Sequence, residues 1–130
     1  MSSYYNKTTN DGSYGTFYAD PGQADINIYA RVKFAAFAAS DGQPFLQVCT
    51  ASDIGIGVAM QTITAGQWGT IKFRNAPGTQ LGNATTTMAA ADALYPDNAG
   101  GVTNVAGTQI LGYCVTPPAS ATGIVVYCKT

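Results

Sequence analysis

The sequence predicts a mainly β chain: a small β-barrel or sandwich-like domain made of two similar hairpin-containing halves, with one short helix and an extended N-terminal arm. Three observations predict it. A strand–turn–strand phrase occurs twice. Ile56-Gly57-Val58-Ala59-Met60, a polar stretch, Ala65-Gly66 and then Gly69-Thr70-Ile71-Lys72-Phe73 is matched by Leu111-Gly112-Tyr113-Cys114-Val115, a short stretch, Ala119-Ser120-Ala121 and Gly123-Ile124-Val125-Val126-Tyr127. Gly57 aligns with Gly112, a spacing of 112 − 57 = 55 residues, and Gly69 aligns with Gly123 across a one-residue gap. Two copies are too few for a solenoid, so the halves must pack on each other. The second observation is the clean alternation over Asp25–Phe34, and the third is the absence of Glu from the chain. Asp, the only acid present, favours turns and caps over helix interiors.

Taken in order, residues 1–24 read as an arm and 25–130 as the β-domain. The arm sets Tyr4, Tyr5, Tyr14, Phe17 and Tyr18 among Asn, Asp, Gly, Ser and Thr, with no helical period. Aromatic rings in a polar, Gly-punctuated segment suit docking on a surface through a few anchors. Asp25–Phe34 places Ile26, Ile28, Ala30, Val32 and Phe34 on one face and Asp25, Asn27, Tyr29, Arg31 and Lys33 on the other, the period of a half-buried strand. Ser40–Pro44 is a turn, Phe45–Cys49 a short strand and Thr50–Asp53 a loop, after which the first hairpin runs to Arg74. Asn75-Ala76-Pro77-Gly78 fits a type II turn, and Gln80–Thr86 reads as polar connection. Thr87–Leu94 is the helix candidate. Tyr95–Gly101 is a strand end and turn, Val102–Val105 a brief strand, and the second hairpin follows. Pro117-Pro118 cannot donate to a ladder and marks a loop or an edge.

Composition narrows the function. At 130 residues the chain is one domain with a possible tail. Charged residues make up 10% against a usual ~25%, which suits a protein that works against other copies or a larger surface. Net charge is −1 with no basic run, so nucleic-acid binding is not expected. No apolar run approaches the ~20 residues of a membrane helix, and the N-terminus lacks the charged and apolar regions of a signal peptide.

The residue inventory argues against catalysis. The chain has no His and no Glu, so acid–base work would fall to Asp, Lys, Tyr or Cys, and no Asp pair carries a motif. A Cys nucleophile would lack a His to activate it. Cys49, Cys114 and Cys128 are an odd number without CxxC or a His partner, which argues against zinc. Free buried thiols are the favoured reading and a Cys114–Cys128 bridge the alternative. Asp11-Gly12 and Asp41-Gly42 lack the ligand spacing of a calcium loop, and Gly55-Ile56-Gly57 fails as a dinucleotide fingerprint. No enzyme activity, cofactor or metal is expected. Trp68, at the turn of the first hairpin, is either an interface anchor or a lid on the core.

From about residue 31 onward the chain resembles the tailed-phage capsid decoration, or cement, proteins. The resemblance rests on Gly57-Val58-Ala59, Ala65-Gly66-Gln67, Gly69–Phe73, Ala91-Asp92-Ala93-Leu94-Tyr95, Gly101-Val102-Thr103, Leu111–Cys114 and Gly123–Tyr127, roughly 100 residues in all. The cysteines, the Pro117-Pro118 pair and the tyrosine-rich arm depart from it. The resemblance implies a structural virion protein on the outer surface of a phage head, made in the host cytoplasm. It implies the major capsid protein and further copies of the chain, as a homotrimer, for partners, and no nucleic acid or membrane. It transfers no catalytic residue. Tyr4, Tyr5, Tyr14, Phe17, Tyr18 and Trp68 are the expected partner-binding residues. A carbohydrate- or host-binding β-module of a phage fibre or adhesin is the rival, with the tyrosines as sugar platforms.

Overall fold

A computed structural model describes residues 13–38 and 44–130. Tyr4, Tyr5 and the expected turn over 40–43 lie outside the described residues. The first half contains β1 (Tyr14–Tyr18), β2 (Arg31–Ala38), β3 (Pro44–Val48), β4 (Gly57–Ala59) and β5 (Trp68–Phe73). The second contains β6 (Gln80–Asn83), β7 (Ala93–Pro96), a 3-10 turn (Asn98–Gly100), β8 (Val102–Thr103), β9 (Gly112–Thr116) and β10 (Ile124–Lys129). The first five strands form a sheet in the order β1-β5-β4-β2-β3 and the last five in the order β6-β10-β9-β7-β8. These are the same order shifted by one half, and all ladders are antiparallel.

The duplication therefore covers far more than the two hairpins. It extends to how each sheet is closed. A parallel bridge joins Ala19, just after β1, to Leu46 in β3, and its counterpart joins Ala84, just after β6, to Val102 in β8. The Asp20 amide donates to Leu46 O at 3.0 Å and the Thr85 amide to Val102 O at 3.0 Å. Each half is thus a small five-stranded sheet curled until its edges meet, which removes the open edges that would template aggregation.

Both expected hairpins form. Gly57 pairs with Phe73 and Gly112 with Lys129, and a Cβ at either glycine would fall on the carbonyl oxygen of the residue before that partner, Lys72 or Cys128. Close backbone approach therefore accounts for the Gly57–Gly112 match. The Gly69–Gly123 match does not hold. Ala59 pairs with Ile71 and Cys114 with Tyr127, so Ile71 corresponds to Tyr127 and Gly69 to Val125. The β9–β10 ladder slips by one residue between Val126 and Tyr127, and the sequence alignment stands two residues from the structural one.

Four other expectations are corrected. The stretch read as an arm contributes β1, paired with β5 from Tyr14–Lys72 to Tyr18–Trp68, so the sheet begins well before residue 25. The strand expected over 25–34 starts at Arg31. Ile26 makes only an isolated bridge to Ile63, and a turn closed by the Ala30 amide on Asn27 O, with Tyr29 at φ 67°, leaves Ile28 exposed. Gln80–Asn83, read as connection, is β6. Thr87–Leu94 is not a helix. The Ala89 amide donates to Asp92 Oδ2 at 2.8 Å, Ala91 sits at φ 73°, and Leu94 belongs to β7. An eight-residue run is too short to be a stable helix on local propensity, and pairing with β9 prevails.

Each half has its own core. Phe17, Ala19, Ile26, Val32, Leu46 and Ile71 fill the first with their neighbours, and Leu94, Val102, Leu111, Cys114, Val125 and Tyr127 the second. Cys114 faces this core while Cys128 is exposed one residue beyond Tyr127, so both thiols are free, as is buried Cys49.

The halves are held together by Arg31, which is 1% exposed although the period-two pattern assigns it to the solvent face. Its guanidinium donates only to backbone carbonyls: Gly101 O at 3.0 Å, Asp97 O at 2.6 Å, Thr50 O at 3.3 Å, Ile54 O at 3.5 Å and Asp53 O. Gly101 and Asp97 belong to the second half. The Gly100 amide donates back to Cys49 O at 2.9 Å, and Gly100, at φ +72°, lies so close to Arg31 that a Cβ would meet its backbone. Burial lowers the Arg31 pKa and the nearby Cys49, Tyr127, Asp53 and Asp97 partly offset this. At the far end Arg74 donates to Leu111 O at 3.3 Å and Thr130 O at 3.2 Å.

Candidate functional site

The register of β1 and β5 decides which of the expected anchors reach the surface. Gly15 and Phe17 point inward, opposite Ile71 and Gly69. Phe17 is 3% exposed, with its ring edge-on to Phe34 and Phe73 at 4.9 and 5.9 Å. It is a core residue, which corrects its assignment as a docking ring. Tyr14, Thr16 and Tyr18 alternate to the outer face, opposite Lys72, Thr70 and Trp68. Tyr14 and Trp68 are each 39% exposed and Tyr18 is half-buried.

The closure of the sheet adds a residue that the sequence reading missed. Because β3 bridges to the end of β1, Phe45 lies beside Tyr18. The Tyr18 ring is 5.7 Å from Phe45 on one side and 5.4 Å from Trp68 on the other. Phe45, Tyr18 and Trp68 thus form a row across three neighbouring strands, each contact adding about 0.5–1.5 kcal/mol beyond area burial. Tyr14 extends the face along β1, roughly 13 Å from Tyr18 at strand rise. Charges lie at the border: Lys72 Nζ donates to Thr79 O at 3.0 Å, and Asp20 Oδ2 accepts from Gln47 Nε2 at 2.7 Å. Of the two readings of Trp68, the structure places it on the outer surface.

A second apolar face lies on the other half. Tyr113 and Val115 of β9 and Ile124 of β10 are 47%, 46% and 41% exposed, and Tyr113 pairs with the exposed Cys128. Its signal in the sequence was that β9 is apolar at alternate positions on both faces, the pattern of a strand covered on two sides.

Among the described residues no three His, Cys, Asp or Glu side chains gather as a metal site. The buried Cys49 thiol is pushed up to about 11 by desolvation, and the Tyr127 hydroxyl to about 12 for the same reason. A cleft of about 430 Å³ opens between Phe34, Ile56, Phe73, Arg74, Asn75 and Thr130, lined by apolar rings and backbone-bound Arg74.

No protein-family model and no curated protein matches the chain. Among solved structures, it is similar to the N base of the head fibre gp8.5 in bacteriophage phi29, with a TM-score of 0.73 and 14% sequence identity over 90% of this chain and 92% of that one. At that identity the likeness is one of fold, and it spans both halves.

Proposed function

We propose that the chain is a structural protein of a phage virion, bound to the outside of the head as a decoration protein and without enzyme activity. The observation that carries this reading is the fold likeness, over 90% of this chain, to a head-fibre base, in a chain that offers two aromatic or apolar faces and an inventory poor in catalytic groups. In this reading Tyr14, Tyr18 and Trp68 form a partner-binding face, the major capsid protein and further copies of the chain are the partners, and the copies associate as a homotrimer. Binding to the assembled shell alone stabilises that shell by mass action, and clustering makes each further docking event intramolecular. Tyr4 and Tyr5, outside the described residues, are proposed as further partner-binding residues.

The test is co-sedimentation of the purified protein with phage heads. Trp68→Ala and Tyr14→Ala are expected to lower occupancy at equal concentration while leaving the fold intact. Unchanged occupancy in both removes this face from head attachment. A second reading is a glycan-binding fibre module, favoured by the row of rings at 5.4 and 5.7 Å. Glycan-array binding lost in Trp68→Ala, with no head binding in either protein, selects it.

A further inference from the structure

Equivalent outer faces of the two halves have different fates. On the first half Arg31, Val58 and Lys72 form one cross-strand row, and on the second Ala93, Tyr113 and Cys128 form the corresponding row. Arg31 and Val58 are 1% and 2% exposed because the second half covers them: β6 lies against β4, and the 3-10 turn lies against β2. Asn83 of β6 reaches across to donate to Ile28 O at 2.8 Å. The matching row of the second half is open, with Tyr113 47% exposed and Cys128 exposed. A two-fold relation between the halves would have covered both rows. The contact is instead head-to-tail, and within the described residues it is made once.

We infer that a second copy of this chain continues it, laying the outer face of its β1 on the β9 face around Tyr113 and Val115. The occupant follows from the duplication. The element that covers the first half is β6, and its counterpart is β1. Asn83 corresponds to Tyr18 and Leu81 to Thr16, since each pair precedes the equivalent bridging alanine, Ala84 or Ala19, by the same step. The β1 face carries exposed Tyr14 and Trp68, and the β9–β10 face carries exposed Tyr113, Val115 and Ile124. The two apolar faces of the chain are therefore the two that a repeated head-to-tail step brings together. Such a contact closes into a ring if its rotation divides a full turn, and otherwise runs on as a fibre. The inference deepens the self-association proposed above but does not depend on attachment to a phage head.

The experiment is sedimentation equilibrium over a dilution series. The wild-type mass is expected to rise above the 13.4 kDa of one chain as concentration increases. Tyr113→Asp and Tyr14→Asp are each expected to remain at one chain, with unchanged circular dichroism. Mixing the two variants is expected to restore a single contact and stop at a mass of two chains, since Tyr14 of the first docks on Tyr113 of the second and both remaining faces are blocked. Val115→Asp reads the same face should Tyr113→Asp fail to fold. A wild-type mass of one chain throughout, or association of Tyr14→Asp on its own, overturns the inference. Absence of head binding by the wild type, with association intact, overturns only the virion reading.

Discussion

Replacing Arg31 by Met removes a planar donor from five backbone carbonyls, two of them in the other half. The magnitude follows from opposing effects. Each carbonyl left buried without its donor costs about 1–3 kcal/mol, less where a second lone pair is already used or the backbone relaxes. Relief of the buried guanidinium's desolvation returns several kcal/mol. The orphaned carbonyls outweigh that relief, and loss of a buried hydrogen-bond network of this size nets roughly 3–5 kcal/mol. For a chain of this size that lowers the thermal midpoint by about 10–25 °C. Differential scanning calorimetry is the assay. The wild type is expected to melt in one transition. Arg31→Met is expected to melt lower and to split in two, because each half keeps its own core and loses the bracket between them. Arg31→Lys separates charge from geometry: an ammonium keeps the charge but has fewer donors and no planar fork, so the midpoint should stay low. An unchanged midpoint in Arg31→Met, or a midpoint restored by Arg31→Lys, refutes the bracket.

Two further outcomes are expected. Gly57→Ala and Gly112→Ala drive a Cβ onto a backbone oxygen and should each cost more than about 2 kcal/mol in urea unfolding, whereas Gly78→Ala, at φ +90° with nothing within 4 Å, should cost only the ~1–2 kcal/mol of left-handed backbone. A larger loss at Gly78 than at Gly112 contradicts the close-approach argument. In pH titration, hydrogen bonds from the Thr50 amide, Lys33 and the Thr50 hydroxyl hold the Asp53 carboxyl down, from 3.8 to about 2. Because the folded value is depressed, its contribution is complete above the ordinary carboxylate range and is lost as pH falls between about 4 and 2. Thermal midpoints should fall across that window and fall less in Asp53→Asn; an equal fall in both assigns the acid sensitivity to other groups, such as Asp92, which is also held low by the Ala89 amide.

The hairpins and the β class were legible because β4, β5, β9 and β10 carry apolar runs punctuated by turn residues. Two of the strands that were missed, β1 and β6, are counterparts of each other. Both are short, contain Gly and carry polar residues on the outer face, so neither shows the apolar signal of a strand. Their stability comes from distant partners: Gly15 packs against the Phe17 and Phe73 rings, and Gly82 against Val102 and Tyr127. Arg31 was unreadable for a related reason. Period two assigns a face, but only the packing of the halves decides whether water reaches it. The aromatic face was legible in Tyr14, Tyr18 and Trp68. Phe45 joins it only through sheet closure, and Phe17 was misassigned because adjacent residues of a strand point to opposite sides.

The duplication shows what the fold conserves. At one layer of the first core Phe17 stands opposite Gly69 with Ile71 beside them; at the same layer of the second Gly82 stands opposite Val125 with Tyr127. The large ring has moved from the first strand to the last, and the small residue has moved the other way. A Cβ on Gly82 would meet the Tyr127 ring at 3.1 Å, so the ring occupies the space that Phe17 fills in the first half. The interior keeps its volume and lets its residues change, as close packing requires. The sequence match survives where backbone meets backbone, at Gly57 and Gly112, and at the bridging alanines Ala19 and Ala84. Outer positions obey no such constraint: Val58, sealed within the chain, corresponds to the exposed Tyr113, and half-buried Lys72 to the exposed Cys128. Divergence on a preserved interior is how one scaffold covers one face with its own second half and leaves the matching face open.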